Sequence, residues 1–234
     1  MNIDINTNLV FTSSANPVKP FVIRTKRGKL NVAEVTTRDL KREGFMQALT
    51  KFFCKNFASL TKDPAWKVFR TGTAFQYEQA LNDFINYYGV KIRKREDDMT
   101  LLIAKDKRNK IQGACLSYGY TKIPNLNNTV CYVDSIAVNP TYRGFNIGKV
   151  MLEKTLDSAK HQFTDAFLAG DRCAYGFYKK LGFEPLKEEF EHQKKVIDYL
   201  SKRRSDYPKY IEFLTKPLQE NSPRWFNEIK GELD

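Results

Sequence analysis

Apolar positions change period repeatedly along the chain, and each change marks an element. Leu30, Val32 and Val35 alternate weakly across residues 30–36, which predicts a strand. Leu40, Phe45, Leu49, Phe52, Phe53 and Phe57 then recur at helical spacing over 38–60, with Gly44 as the point where that helix breaks or curves. A second amphipathic helix starts at Thr73 and carries Tyr77, Ala80, Leu81, Phe84, Ile85 and Tyr88 on one face. It is expected to end at Gly89. Residues 100–104 and 111–120 flank a polar turn at 106–110 and read as an antiparallel hairpin. Residues 123–128, with Pro and Asn, form a loop.

The stretch around which the chain is organised comes next. Residues 132–138 are rich in β-branched and aromatic types and are stopped by Asn139-Pro140, so they form a strand. Ile147, Met151, Leu152, Thr155, Leu156 and Ala159 place an amphipathic helix directly behind. Residues 163–169 read as a buried strand, 174–181 as a short helix and 183–186 as a further strand. Residues 187–204 are charged, with Phe190, Ile197 and Leu200 spaced for a helix, and residues 210–215 give the last strand, ended by Pro217. Residues 1–29 lack periodicity and are read as an N-terminal arm that packs late or stays partly mobile. Residues 30–218 are one domain with an insertion at 187–208. Residues 219–234 are a tail whose Trp225 and Phe226 pack on the domain.

Composition narrows the class. A chain of 234 residues with 41% hydrophobic and 13% aromatic residues can bury a sizeable core and is not disordered. It contains no apolar run long enough for a membrane span, and residues 1–5 lack the pattern of a secretory signal. Cys54, Cys115, Cys131 and Cys173 form no Cys-x-x-Cys pair, and only His161 and His192 join them. No metal site is therefore expected, and reduced thiols in a cytoplasmic protein are. The net charge of +12 has two readings: attraction for a small anionic ligand, or a nucleic-acid partner. Basic residues cluster at 19–29, 91–95, 105–110 and 194–204. Acids interrupt the last three, and no recognition motif accompanies them, so the small-ligand reading is preferred.

Between the 132–138 strand and its helix lie Arg143, Gly144, Phe145, Asn146, Ile147, Gly148 and Lys149. A strand–turn–helix with two glycines lets backbone N–H groups converge without Cβ obstruction, at a helix end that favours anions. It is an outline for a pyrophosphate. Walker A spacing is absent, since Gly144 and Gly148 are one residue too close and Val150 stands at the hydroxyl position. The G-x-G-x-x-G spacing is absent too.

The stretch resembles motif A of the GNAT N-acetyltransferase superfamily, Arg/Gln-x-x-Gly-x-Gly/Ala after a strand. Arg143 and Gly148 match its ends, and Ile136, Ala137 and Val138 supply the strand. Asn146 replaces the middle Gly, and Asn is the non-Gly residue that best tolerates φ > 0. A second segment, residues 171–183, is similar to the family's N-x-x-A-x-x-F-Y-x-K-x-G-F, with Asp171 for Asn and with Ala174, Phe177 and Tyr178 in place. The resemblance implies a mixed, mostly antiparallel α/β (α+β) sheet of about six to seven strands flanked by helices and split at the central strand. Here a helical insertion precedes the last strand. It also implies acetyl-CoA as co-substrate, with pantetheine along Ile136–Val138 and pyrophosphate on Arg143–Lys149. Asp171, Ala174 and Phe177 belong to the same cofactor site, and Tyr178 protonates the leaving thiolate.

For the base, Asp134 stands two residues before Ile136. Simple alternation puts Asp134, Ile136 and Tyr132 on one face. A lysine-like acceptor costs about 4–5 kcal/mol to neutralise at pH 7, an α-amine about 1 kcal/mol. Asp134 is read evenly as that base or as a strand-end carboxylate serving the backbone. Three function classes stay open. The favoured one is an N-acetyltransferase acting on a small-molecule or peptide amine by direct attack in a ternary complex. The others are an acyltransferase with another acyl-CoA, and a non-catalytic CoA-binding or nucleic-acid-associated module.

Overall fold

The computed structural model describes residues 17–94, 99–120, 130–189, 191–202 and 209–219. Its strands are β1 (Phe21–Thr25), β2 (Gly28–Glu34), β3 (Met99–Lys105), β4 (Ile111–Tyr120), β5 (Val130–Val138), β6 (Asp165–Asp171), β7 (Glu184–Pro185) and β8 (Ile211–Pro217). They form one sheet in the order β1-β2-β3-β4-β5-β6-β8-β7. Every neighbouring pair is antiparallel except β5 and β6, which run parallel. The helices are α1 (Thr37–Leu40), α2 (Phe45–Ala58), α3 (Val68–Thr71), α4 (Ala74–Lys94), α5 (Ile147–Ala159), α6 (Tyr175–Lys179) and α7 (Glu191–Ser201). The mixed, mostly antiparallel sheet flanked by helices is the predicted class. Among the described residues it has eight strands, because β1 lies inside the stretch read as an arm and pairs along its length with β2.

Local chemistry sets the helix ends. Thr36 and Asp39 cap each other's backbone at the start of α1. Thr73 and Gln76 do the same before α4, with Thr73 N donating to Gln76 Oε1 at 3.0 Å and Gln76 N to Thr73 Oγ1 at 3.3 Å. Gly44, at φ 71°, separates α1 from α2 as the sequence predicts. Gly89 does not end its helix: α4 continues to Lys94. A single Gly inside a long amphipathic helix costs about 1 kcal/mol against Ala. Burial of Tyr88 and Ile92 on either side outweighs that cost.

Both faces of the sheet are covered. On one face α5 buries Ile147, Met151, Leu152 and Leu156 against Val32, Leu102, Cys115 and Val133. On the other, Leu49 and Phe53 of α2 and Tyr88 and Ile92 of α4 cover Leu101, Ile103, Leu116 and Tyr118. Within the stretch read as an insertion lies α7, whose Val196, Ile197 and Leu200 pack on Phe167, Ile211 and Phe213. Its expected partner Phe190 lies outside the described residues, as do the 123–128 loop, Trp225 and Phe226.

Candidate active site

β5 is the strand that positions the site. Its pairing with β4 shifts between Leu116↔Ser135 and Ser117↔Val133, leaving Asp134 as an extra residue, a β-bulge. The bulge overturns the expected alternation. Val133 before it and Ile136 and Val138 after it face the α5 side, whereas Tyr132 and Ala137 face α2 and α4. Asp134 reaches Lys91 of α4, so it does not share a face with Ile136. One inserted residue re-aims every side chain downstream of it, and nothing in the period-2 pattern announces it.

On its other side β5 pairs with β6 at only two positions, Cys131↔Ala166 and Tyr132↔Phe167. Beyond Tyr132 the two parallel strands part. The backbone of residues 133–138 faces an opening where a sheet neighbour would otherwise sit. The turn after β5 stands at the head of this opening. Asn146 adopts φ 58° and precedes α5 without a side-chain cap bond. The first intrahelical bond runs from Val150 N to Asn146 O, so the N–H groups of Ile147, Gly148 and Lys149 precede the ladder. No acid occupies the first turn.

The two glycines of the turn do different work. Gly144, at φ 83°, has nothing within 4 Å of where a Cβ would stand. Gly148 is instead packed: its Cβ would meet Val138 Cγ2 at 3.4 Å and Phe177 Cζ at 3.5 Å. Gly148 thus serves the approach of α5 to β5 and α6, and only Gly144 leaves open space. Arg143 does not reach out to solvent. Its Nε donates to Val138 O at 3.0 Å and its Nη2 to Ser59 Oγ at 3.0 Å, tying the turn to the end of α2. Phe145 is half-buried against the α5 core, and Lys149 pairs loosely with Glu153 at 3.8 Å.

A cavity of about 450 Å³ occupies the gap between the α2–α4 layer and the parted strands. Asp134, Ser135 and Ile136 of β5, Asp171 at the end of β6, Ala174 and Tyr178 from the segment after it, and Ile211 of β8 all line it. The sequence-predicted catalytic pair, Tyr178 and Asp134, is therefore brought to one cavity from residues 44 positions apart. Phe177 lies behind, edge-on to Tyr178 with ring centroids 5.1 Å apart. Burial raises the Tyr178 phenol above its ordinary value, so it keeps its proton at neutral pH. Asp171 Oδ1 accepts from Cys173 N at 2.9 Å, capping the turn that leads into α6.

Asp134 is tightly held. Its Oδ1 accepts from Lys91 Nζ and, at 3.0 Å, from Tyr118 Oη; its Oδ2 accepts from Ser135 Oγ at 2.9 Å. Because Ser135 gives its proton to the carboxylate, the Tyr88 hydroxyl, 2.9 Å away, donates to Ser135. A carboxylate accepts about four hydrogen bonds, so one site on Oδ2 stays open. For Lys91, burial alone lowers the pKa, but Asp134 and Tyr87 outweigh it and the net shift is upward. The Lys91 ammonium also lies 4.2 Å from the Tyr87 ring centroid.

The outer wall of the cavity is aromatic. Trp66 stacks on Phe84 at 4.9 Å and meets Phe57 edge-on at 5.3 Å. Phe57, Phe84 and Tyr88 stand on the apolar helix faces expected from the sequence, whereas Lys91, Tyr118, Ser135 and Trp66 carry no motif that marks them as site residues. A signal for Lys91 existed: Phe84, Tyr88 and Lys91 follow i, i+4, i+7, so a cation falls on the buried stripe. Ending the helix at Gly89 hid it.

The Acetyltransferase (GNAT) family profile matches residues 64–183, just over half of the chain. "Putative acetyltransferase BSU40680" of Bacillus subtilis (strain 168) is 29% identical over 119 residues, spanning 50% of this chain and 79% of that protein. Among solved structures, PH1933 from Pyrococcus horikoshii OT3 is similar with a TM-score of 0.56 and 14% identity, over 80% of this chain and 98% of its own. A GNAT-family acetyltransferase from Staphylococcus aureus Mu50 is similar with a TM-score of 0.50 and 16% identity, over 81% and 99%. The profile covers both segments that line the parted strands, β5 with its turn and the Asp171–Phe183 stretch, and on that match the chain belongs to the GNAT acetyltransferase family.

Proposed function

We propose that this protein transfers an acetyl group from acetyl-CoA to a primary amine by direct attack within a ternary complex. The observation that carries the reading is the parting of β5 from β6 after two pairs, which leaves the β5 backbone at 133–138 open beside Tyr178. An extended pantetheine arm fits there as a strand would. The free N–H groups of Ile147–Lys149 and the open space at Gly144 fit a pyrophosphate. Acetyl-CoA supplies an activated acyl carbon and a thiolate leaving group.

The chain's own residues do the rest. A β5 backbone N–H near the bulge polarises the acyl carbonyl. Tyr178, protonated at neutral pH, gives its proton to the departing sulfur. The open acceptor site on Asp134 Oδ2 takes a proton from the amine, directly or through one water. The deprotonation cost favours an amine close to neutral at pH 7, such as an α-amine at about 1 kcal/mol, over an ε-amine at about 4–5 kcal/mol. Ile211, which lines the cavity, packs against α7, so the insertion shapes the acceptor end of the site.

Amide hydrogen exchange with and without CoA tests the cofactor assignment. Slowed exchange at residues 136–138 and 147–149 is expected. Protection confined to other segments, or none at saturating CoA, contradicts it.

A further inference from the structure

On the α2 side of the sheet, a groove of about 820 Å³ runs between the start of α2, the β3–β4 turn and the end of β5. Arg42, Lys51, Lys55, Lys105 and Lys110 line it, with Glu43 as the acid among its lining residues. None of these five cations has a carboxylate within ion-pair distance among the described residues. The acids that interrupt this basic region in sequence stay near it, Asp39 within electrostatic reach of Lys105 and Arg42 and Asp106 of Lys110, but outside ion-pair distance, and both carboxylates take their hydrogen bonds from backbone N–H groups and neutral side chains. Asp106 accepts from Arg108 N, Lys110 N and Gln112 Nε2, at 2.8, 3.0 and 2.8 Å. Asp39 accepts from Thr36 N and Oγ1, at 3.0 and 2.7 Å.

The strand register enlarges the patch. β2 pairs Asn31 with Lys105, so the β1–β2 turn, with exposed Lys26, Arg27 and Lys29, projects at the same end of the sheet as the β3–β4 turn. Two basic runs far apart in sequence thus join the lysines of α2. The groove is not uniformly polar: half-buried Phe45, Phe52 and Ile111 lie among the cations. Cations without a close ion pair, interleaved with apolar faces, suit a chain of phosphates carrying flat bases, the arrangement by which single strands are held without sequence reading. A purely acidic peptide would use the charges and leave the aromatic faces idle.

We propose that this groove binds single-stranded nucleic acid, RNA or DNA, as a second site apart from the acetyl-transfer cavity. The site holds the phosphodiester backbone on Arg42, Lys51, Lys55, Lys105 and Lys110, with bases against Phe45 and Phe52. The reaction of the cavity is not needed for it.

Fluorescence anisotropy of a labelled oligouridylate, and of oligothymidylate, on the full chain tests this. With five phosphates neutralised, log K falls against log[salt] with a slope of about −3.5, an affinity loss of about a hundredfold between about 50 and 200 mM salt. Replacing Lys51, Lys55 and Lys110 together with Gln should weaken binding at least about tenfold and flatten the slope by about 2. CoA binding and the thermal midpoint should stay unchanged, because none of the three touches the cavity. Replacing Lys194 and Lys195 with Gln on α7 removes charge from the opposite part of the sheet and should leave oligonucleotide affinity within about twofold. Four results would each overturn the proposal: no binding at low salt, equal weakening by the α7 variant, an unchanged slope in the groove variant, or competition by polyglutamate matching that of the oligonucleotide at equal charge.

Discussion

Replacing Lys91 with Met tests whether the Lys91–Asp134 pair fixes the wall of the cavity to its floor. The side chains are 26% and 5% exposed, so this is a mostly buried pair joining α4 to the bulge of β5. Removing one partner of a buried pair costs about 3–5 kcal/mol, because the other charge stays buried. Partial exposure of Lys91 and the donors left on Tyr118 and Ser135 set the expectation at the low end, about 3 kcal/mol. Urea unfolding of Lys91→Met, Asp134→Asn and the double variant forms the assay, and the coupling energy should be about 2 kcal/mol. The pH dependence has a defined sign. The Lys91 pKa is raised above its ordinary 10.5 on folding, so its contribution is fully present below that pH and is lost as pH rises through the folded value. The difference between wild type and Lys91→Met should therefore be flat from neutrality to about pH 9. A coupling below about 0.5 kcal/mol would mean that the pair is solvated and that packing alone holds α4 on β5.

Other outcomes are expected from the same geometry. Tyr178→Phe should lower kcat about 10²–10⁴-fold with little change in CoA affinity; a variant within twofold of wild type would reduce Tyr178 to packing against Phe177 and Phe183. Because burial holds the phenol proton above the ordinary pKa of 10.0, ionisation of Tyr178 should give kcat no alkaline limb below pH 10. Gly148→Ala should melt near wild type, whereas Gly148→Val should lose about 1–3 kcal/mol, since its methyl groups meet Val138 and Phe177; equal melting temperatures would show that the turn relaxes freely. Leu200→Ala should destabilise by about 2–4 kcal/mol and raise the acceptor KM without altering CoA affinity, because α7 supports Ile211; weakened CoA binding with an intact fold would contradict that division.

Much of the layout was legible because it rests on local signals. The 132–160 stretch carried its strand, turn and helix in plain periodicity, and Asn146 takes the positive φ that its residue type suggested. The Gly44 break and the β3–β4 hairpin followed from the same kind of reading. What was not legible depends on partners distant in sequence. β1 has too short an apolar pattern to announce itself and exists through its pairing with β2. The bulge at Asp134 is a property of two strands in register, so alternation along one strand put Asp134 and Ile136 together wrongly. Gly89 looks like a stop signal, yet burial of Tyr88 and Ile92 carries α4 past it. The same misplaced boundary turned Lys91 from the partner of Asp134 into one member of a basic run.

The proposed reaction is acetyl transfer from acetyl-CoA to an amine at the parted strands. The measurement that tests it most directly is thiol release from acetyl-CoA across a panel of primary amines, with product identified by mass. The panel should span peptide α-amines, lysine ε-amines and small polyamines. Amine-dependent release with an N-acetylated product is expected, fastest with α-amines and lowered about 10²–10⁴-fold in Tyr178→Phe. Thiol release that ignores the amine, or CoA binding at residues 136–138 without transfer to any amine in the panel, would contradict it.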